Sequence, residues 1–506
     1  MLTSVEQKPS CVEQGSTSLS YLYDTIIINA LVIDGSGGTA IEQDVAIKDD
    51  KIIAIGQLNS AQAAGIIDAN GLVLAPGFID VHTHDDLEVL RNPKMLNKIS
   101  QGVTSVIVGN CGISASPYQC NDVPSDPINL LGQKEEFVFP QLSDFIDKFQ
   151  QVKPNVNVAA LVGHTSLRAQ VMKSLDKPAS KAELAQMCNL LSAALKQGAK
   201  GLSSGLAYKN AQAAPSEEVA ALVKQLKAYD AIYSTHIRTE FDGIIDALDE
   251  AFSVTKAEQV PVIISHVKCA GKSNWGRADE VIEHIEKHQK QQKISCDCYP
   301  YHASSSTLDL QQVTDDFDIF ITWSEPHPEK AQQNLEAIAQ QWQISLMEAA
   351  KRLQPAGAVY HGMSEKDVEQ FLSFDKTMIG SDGLPCDPHP HPRLWGTFPR
   401  VLGHYSRDKQ LFALAAAIHK MSGLSATEFK LKHRGYIREG YYADLVLFDA
   451  NTVQDLASFA EPCAISTGIE KVWVNGQLSY ECGIDVQKHQ VSSGAGSGRF
   501  LAHEQY

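Results

Sequence analysis

Short apolar runs that end in polar, reactive side chains recur along the middle of this chain, and this pattern restricts the folds open to it. The runs alternate with amphipathic stretches of helical length, which is typical of an α/β protein with a parallel sheet. Such strands are expected to end near His84, Gly109, Gly163, Ser203, His236, His266, Tyr299 and Asp382. Eight strands with intervening helices predict a (β/α)8 TIM-like barrel, which gathers its functional side chains at the carboxyl ends of the strands.

Two β-rich stretches flank this middle region and predict a small β-sandwich domain formed by both termini. The gap between Tyr299 and the last candidate strand is too long for one crossover and contains helical sequence at 328–353, so we expect an inserted lid subdomain. The predicted boundaries are a polar tail at 1–21, the β-domain at 22–76 and 425–490, the barrel at 77–424 with its insertion at about 302–375, and a C-terminal tail at 491–506. Within this tail, the glycine- and serine-rich stretch 492–498 is expected to be flexible.

Charge and cysteine content exclude several classes of protein. The 506-residue chain has a formal net charge of −17, which argues against binding to nucleic acid or to an anionic membrane surface. Its ten cysteines are scattered, so a disulfide framework is not expected. The first twenty residues lack the apolar run of a signal peptide, and no stretch has the length of a membrane helix. These features together predict a cytoplasmic protein.

Histidine and cysteine side chains at the predicted strand ends indicate a metal site. His82 and His84 are two residues apart on the predicted first strand, so their side chains should share a face. Cys111 follows the second strand; alone it is more often a small buried apolar residue, but its thiolate could bind zinc strongly. His236 and His266 would complete three protein ligands. Because structural zinc sites use four, three ligands and an open position for water predict a catalytic site.

Four further residues are candidates for chemistry or for binding an anionic substrate. Asp382, in a Ser-Asp-Gly turn, could be an ordinary turn residue, but at the last strand end it could take a proton from metal-activated water and deliver it to a leaving amine. Lys268, Tyr299 and Arg393 are individually unremarkable as solvated charges or packed aromatics. Together they could bind a substrate carboxylate, with the arginine supplying two parallel donors.

Several stretches resemble the amidohydrolase superfamily and, within it, the N-acyl-D-amino-acid deacylases (D-aminoacylases). They include PGFIDVHTHDD from Pro76, GVTSVIVGNCGIS from Gly102, GLSSGLAY from Gly201, STHIRTE from Ser234, VIISHVKCAGKSNWGR from Val262 and MIGSDGLPCDPHPHPRLWGTFPRVLGHYSR from Met378. The resemblance extends over about residues 22–500. It implies a zinc-dependent barrel that hydrolyses a small-molecule N-acyl-D-amino acid.

The resemblance also implies a role for each candidate. It assigns a tight Zn2+ to Cys111, His236 and His266, a second and weaker metal position to His82 and His84, the general acid/base to Asp382, contacts with the substrate carboxylate to Lys268, Tyr299 and Arg393, and a place near the reacting carbonyl to Tyr208.

Two other functions remain open from the sequence. A cyclic-amide hydrolase of the hydantoinase or dihydroorotase type would place a metal-bridging lysine on the fourth strand, but Lys200 comes two or three residues too early for this. A non-catalytic barrel used as a scaffold would be expected to have lost ligands, whereas this chain has the complete set. Hydrolysis of linear N-acyl-D-amino acids is therefore the favoured prediction.

Overall fold

The structure, a computed structural model, describes residues 21–483, 490–491 and 496–503. Its centre is a parallel barrel whose eight strands follow one another in chain order around the sheet. The strands are β1 Phe78–Asp80, β2 Val103–Val108, β3 Asn157–Gly163, β4 Gly201–Gly205, β5 Ile232–His236, β6 Val262–Ile264, β7 Ile294–Cys298 and β8 Thr377–Ile379. The predicted (β/α)8 barrel is confirmed.

The barrel is nearly closed by contacts just beyond the ends of β1 and β8. The backbone N–H of Asp382 donates to the carbonyl oxygen of His82 at 2.7 Å, and the N–H of His84 donates to that of Gly383 at 3.1 Å. The first and last strands therefore meet beside three of the candidate site residues, His82, His84 and Asp382.

Helices cover the outside of the barrel, as expected for strands that are buried on both faces. The main outer helices are α1 Leu142–Val152, α2 Lys181–Lys196, α3 Ser216–Leu226, α4 Ile244–Lys256, α5 Ala278–Gln289, α6 Glu365–Ser373 and α7 Leu414–Met421. Shorter helices lie at Glu88–Arg91, Leu96–Ile99, His164–Val171, Lys209–Gln212, Arg393–Arg400 and Gly423–Glu428, and a π-helix at Val401–Asp408. Side chains from alternate strand positions fill the barrel interior together with Leu424, Phe429 and Leu431.

Several strands end earlier than the sequence predicts. β1 ends at Asp80, so His82 and His84 lie in the loop after the strand. The expectation that both lie on the strand was wrong. β6 ends two residues before His266, and β8 ends three residues before Asp382. His266 (φ 35°) and Asp382 (φ 48°) have left-handed backbone conformations, which an extended strand cannot contain.

A nine-stranded sheet is formed from both ends of the chain. Its strands are Tyr23–Val32, Ile41–Lys48, Lys51–Gly56, Ala63–Asp68, Val73–Pro76, Leu445–Phe448, Ile469–Val474, Gln477–Glu481 and Gln490–Val491. The N-terminal and C-terminal halves join where Val73–Pro76 pairs antiparallel with Leu445–Phe448. Asn157 on β3 donates to the Asp444 carboxylate at 3.1 Å and accepts from Asn475 at 2.8 Å, so buried hydrogen bonds fix this sheet to the barrel.

A second, four-stranded sheet lies within the predicted insertion. Its strands are Ser304–Thr307, Ile319–Ser324, Gln333–Asn334 and Ala356–Tyr360, and it packs against the helices Leu335–Trp342 and Leu346–Leu353. The helical stretch expected at 328–353 is thus interrupted by a strand and by Gln343, whose left-handed backbone ends the first helix. Helix α6, which falls inside the predicted insertion at 302–375, packs against β8 and α5 as an outer barrel helix.

The predicted tails fall largely outside the described residues. This applies to 1–20 of the N-terminal tail and to 484–489, 492–495 and 504–506 near the C-terminus. Residues 496–503 of the predicted C-terminal tail follow the barrel, with N–H groups of Leu501 and His503 donating to carbonyl oxygens of Val158 and Gly198. Across the described residues, no helix combines the length and apolar character needed to cross a membrane.

Candidate metal centre

The predicted metal ligands converge at the carboxyl ends of the barrel strands. His82 and His84 follow β1, Cys111 follows β2, His236 ends β5, His266 follows β6 and Asp382 follows β8. Donor atoms of His82, Cys111, His266 and Asp382 all lie within 4.8 Å of one another, and these four side chains are buried. A second group with the same spacing consists of His236, Glu240 and His266. Parallel strands therefore bring together residues that are up to 300 positions apart in the chain.

Cys111 lies at the centre of the first group. Its Sγ is 3.1 Å from His82 Nε2 and 3.3 Å from His266 Nε2. Burial opposes ionisation of the thiol, but His82 and His266 hold the pKa of Cys111 well below its usual value. The site therefore favours a thiolate, which is the form of cysteine that binds metal ions.

Asp382 and both histidines of the first loop form the other side of the centre. Its Oδ1 is 3.2 Å from His84 Nε2 and 3.5 Å from His82 Nε2. Its Oδ2 is 2.9 Å from Arg393 Nη1. Burial would raise the pKa of Asp382, but Arg393 and the histidines hold it well below its usual value. The carboxylate is therefore anionic and faces the cluster of donors.

Three of these residues have backbone conformations that are rare outside glycine. The φ angles of Cys111, His266 and Asp382 are 52°, 35° and 48°. Left-handed conformations of this kind cost roughly 1–3 kcal/mol each and persist only where the surrounding structure imposes them. The close approach of β8 to His82 also requires Gly380, since a Cβ there would lie 2.4 Å from the His82 Cβ. Three of the convergent donors are therefore held in strained backbone conformations.

Two acidic residues that sequence reasoning missed orient the histidines. Asp297 on β7 lies 3.2 Å from His82 Nδ1 and accepts a hydrogen bond from the His266 backbone N–H at 2.9 Å. Glu240 Oε1 lies 3.0 Å from His266 Nδ1. A charged residue on the buried strand β7, and a glutamate four residues after His236, were the available signals. Carboxylates that contact the second ring nitrogen of a histidine are typical partners of metal ligands.

A third missed residue, Lys98, supports the loop after β1. Its buried Nζ lies 2.7 Å from Asp80 Oδ2, 3.1 Å from Asp85 Oδ2 and 2.9 Å from Ser381 Oγ. It thus connects the residues on both sides of the His82–His84 pair to the residue before Asp382. Nothing in the local sequence of Lys98 indicated this contact.

The predicted carboxylate-binding residues lie around the same centre, but two of them are engaged. Lys268 Nζ donates to Glu240 Oε1 at 2.5 Å and lies 2.8 Å from His266 Nδ1. Arg393 is buried, with its guanidinium carbon 4.5 Å from the Tyr299 ring centroid. Its Nη2 donates to the Ser305 carbonyl at 3.1 Å. Nη1 is at ion-pair distance from Asp382, yet neither it nor Nε forms a hydrogen bond of good geometry within the described residues.

The two tyrosines flank this region. Tyr299 is 1% exposed, and its hydroxyl lies 3.6 Å from Met363 Sδ. The ring of Tyr208 is 5.0 Å from that of His236. Burial is the main cause that raises the pKa of both phenols well above the usual value, so both remain neutral donors.

The set of donors fits a divalent transition metal. A thiolate, several imidazoles and carboxylates are the ligands that zinc prefers. His84 Nδ1 and His236 Nδ1 are buried and lack a hydrogen-bond partner in the part of the chain that is described. Lys200 lies directly before β4, with its Nζ 3.3 Å from the carbonyl oxygens of Lys430 and Ala502, so it is at the opposite end of the barrel.

Comparison with known proteins gives matches over nearly the whole chain. The sequence matches the amidohydrolase family over residues 65–320 and 374–480. It is 44% identical over 487 residues to D-aminoacylase of Alcaligenes xylosoxydans xylosoxydans, which covers 96% of this chain and 99% of that protein. It is also 44% identical over 459 residues to the N-acyl-D-aspartate deacylase of the same organism, at 90% and 92% coverage.

Solved structures agree with these matches. A D-aminoacylase structure superimposes with a TM-score of 0.91 at 44% identity, covering 95% of this chain and 100% of that one. An N-acyl-D-glutamate deacylase from Bordetella bronchiseptica, in complex with zinc and a phosphonate that mimics the tetrahedral intermediate, gives 0.91 at 38% identity, covering 95% and 99%. A dihydropyrimidinase from Brevibacillus agri gives 0.59 at 18% identity over 95% and 99%, which shows a shared fold alone.

Proposed function

This chain belongs to the amidohydrolase family, and we propose that it is a zinc-dependent hydrolase of N-acyl-D-amino acids. The products are a carboxylate and a free D-amino acid. The observation that carries the proposal is the convergence of Cys111, three histidines and Asp382 beside a buried arginine with unused donors. Relatives that are 42–44% identical over at least 90% of the chain are a D-aminoacylase and deacylases of N-acyl-D-aspartate and N-acyl-D-glutamate.

Zinc fits this donor set. We assign the tight position to Cys111, His236 and His266, and a second position to His82 and His84. When bound, zinc supplies a Lewis acid that activates water and polarises the amide carbonyl. A related D-aminoacylase structure has a binuclear metal centre, which supports a site with two metal positions here.

Asp382 is the proposed proton carrier. Its Oδ1 faces the two histidines of the first loop, and its Oδ2 faces Arg393. The carboxylate is thus placed to take a proton from the attacking water and to deliver it to the amide nitrogen as the C–N bond breaks. Transfer of this proton lets the nitrogen leave as a neutral amine.

Arg393 is the proposed anchor for the substrate α-carboxylate. Its Nε is a buried donor without a hydrogen-bonded acceptor in the described residues, and Nη1 lies 2.9 Å from Asp382 Oδ2 without a hydrogen bond of good geometry, so the guanidinium keeps donor capacity for a carboxylate. Lys268 and Tyr299 lie around the same anchor, and Tyr208 lies beside His236, where a phenol could donate to the reacting carbonyl. The guanidinium carbon of Arg393 lies 4.5 Å from the Tyr299 ring centroid, and this cation–π contact helps to hold the guanidinium in place.

A linear amide is favoured over a cyclic one. The hydantoinase-type alternative expects a lysine at the metal end of β4, but Lys200 lies before the strand, at the other end of the barrel. Solved hydantoinases and dihydropyrimidinases match at 13–18% identity, so they support the fold and not their reaction.

The nine cysteines in the described residues are all free, which supports a reducing, cytoplasmic location.

The direct test is a hydrolysis assay with zinc-loaded protein on matched N-acetyl-D- and N-acetyl-L-amino acids. The quantity measured is the rate at which the free amine is released. We expect turnover of D-substrates and much slower turnover of their L-enantiomers. Dihydrouracil and hydantoin serve as cyclic controls. Equal rates on both enantiomers, or faster turnover of the cyclic amides, would overturn the proposal.

A further inference from the structure

A second cluster of metal-binding side chains lies on the outer helices, apart from the catalytic residues. His284 and His288 are one turn apart on helix α5, and Asp249 is on the preceding helix α4. Asp249 Oδ1 is 2.8 Å from His284 Nε2 and 3.4 Å from His288 Nε2. A donor atom from each of the three side chains lies within 4.8 Å of the other two.

These distances match the spacing of ligands around a bound ion. Zinc binds imidazole nitrogen and carboxylate oxygen at about 2.0–2.2 Å, which separates ligands of a tetrahedral site by about 3.3 Å. The two histidine–carboxylate distances lie on either side of this value. A spacing of four residues on a helix also puts both imidazoles on one face, as two zinc ligands require.

The cluster packs against a buried aromatic ring on one side and is open to solvent on the other. The ring of Phe252 on α4 is buried and lies 6.1 Å from the His284 ring and 4.8 Å from the His288 ring. The two imidazoles therefore pack on a fixed surface, which reduces the entropy lost when they bind a ligand. The side chain of Asp249 is 51% exposed, and those of His284 and His288 are 15% and 26% exposed. An ion and its water ligands can reach them from solvent.

We propose that Asp249, His284 and His288 form a peripheral site for a divalent transition-metal ion, with zinc as the natural candidate. Two imidazoles and one carboxylate supply three protein ligands, and water completes the coordination. Because α4 leads from β5 to β6 and α5 from β6 to β7, a bound ion would join two consecutive helices of the barrel. The ion should therefore stabilise this part of the barrel without entering the reaction.

The first test uses resin-bound metal and protein whose catalytic ligands are already occupied by zinc. Full-length protein without an affinity tag, already loaded with catalytic zinc, should be retained on immobilised Ni2+. The double variant His284→Ala/His288→Ala should elute without retention. The matched control is His327→Ala, which removes a surface histidine that pairs with Glu329, and it should be retained like the wild type.

The second test is calorimetric titration of the same zinc-loaded proteins with Zn2+. The wild type should bind one more ion per chain than the double variant, and its melting temperature should rise more with added Zn2+. Asp249→Asn should weaken this extra binding by at least ~10-fold. Loss of a residue that only orients a metal ligand already costs this much affinity, and Asp249 is proposed as a ligand itself. Equal stoichiometry in wild type and double variant, or equal loss in the His327 control, would overturn the proposal. Unchanged hydrolysis by the double variant keeps this result separate from the catalytic proposal.

Discussion

Glu240 and Lys268 form a buried ion pair, with Glu240 Oε1 2.5 Å from Lys268 Nζ. Burial opposes the charge, but Lys268 and the nearby histidines hold the pKa of Glu240 below its usual value. The same oxygen lies 3.0 Å from His266 Nδ1. Lys268 therefore contacts the candidate metal centre through Glu240, which our sequence analysis did not include, and is less available to a substrate than we expected.

Glu240→Gln should weaken the hold on zinc. The amide keeps the shape but removes the negative charge that orients His266 and balances Lys268. Loss of such a partner typically costs ~10- to 100-fold in metal affinity, measurable by competition with a chelator. Glu258→Gln, which removes one partner of the surface pair with Lys227, is the control and should retain wild-type affinity. Wild-type affinity in Glu240→Gln would show that Glu240 does not position the ligand.

Cys111→Ala should lose the tightly bound zinc and most activity, because it removes the anionic sulfur at the centre of the donor cluster. Elemental analysis of the purified protein gives the metal content. Cys296→Ala is a matched control, since Cys296 is buried like Cys111 but lies on β7 and contacts Thr377 and not the metal centre. Full zinc content in Cys111→Ala would mean that the ligand assignment is wrong.

Asp382→Asn should keep zinc but lower kcat by about 10²- to 10⁴-fold, the range expected for loss of general acid–base catalysis. The amide cannot take the proton of the attacking water. Steady-state kinetics combined with metal analysis separate this effect from loss of the ion. A variant that turns over near the wild-type rate would exclude the proposed proton transfer.

Arg393→Ala should raise KM for N-acetyl-D-methionine by at least ~10-fold, since it removes a buried partner of the carboxylate. The ratio of kcat/KM for the D- over the L-enantiomer should decrease, because the α-carboxylate of the substrate is no longer held by Arg393. The primary amide of the same substrate, which lacks the carboxylate, is the control: its already poor kcat/KM should change little. An equal loss on acid and amide would place Arg393 in support of Asp382 alone.

Acid should destabilise the protein partly through Glu218. Burial opposes its ionisation, but hydrogen bonds from His164, the Ala179 N–H and Arg168 lower the pKa of Glu218 to about 2. A carboxyl with a lowered folded-state pKa stabilises the fold above its unfolded value, near 4.5, and this contribution is lost as the pH falls toward 2.

The measurement for Glu218 is the melting temperature between pH 6 and pH 3. Glu218→Gln should be less stable than wild type at pH 6, and the difference should shrink as the pH falls. Glu217→Gln, which alters the exposed neighbour of Glu218 in the first turn of α3, controls for general acid effects. A constant difference across this range would exclude the linkage.

The sequence predicts the fold and family well because these depend on local patterns. Buried runs such as Val103–Val108 mark strands, and the resemblance to N-acyl-D-amino-acid deacylases is confirmed by matches over nearly the whole chain. Contacts between distant loops are less predictable. Lys98 comes from a one-turn helix and contacts Ser381, and Asp297 sits between two cysteines on a strand; their roles depend on how the strands close. The roles of the ligands and of Arg393 stay predictions.

The left-handed backbones at Cys111, His266 and Asp382 also bear on how this protein can change. Glycine would relieve the strain at each position but would remove a proposed metal ligand or the proposed proton carrier, so any stability gained there is expected to cost activity. Laboratory evolution of a more robust enzyme should therefore be run under continuous demand for turnover. Without that demand, variants that have gained stability at these positions are expected to have lost activity.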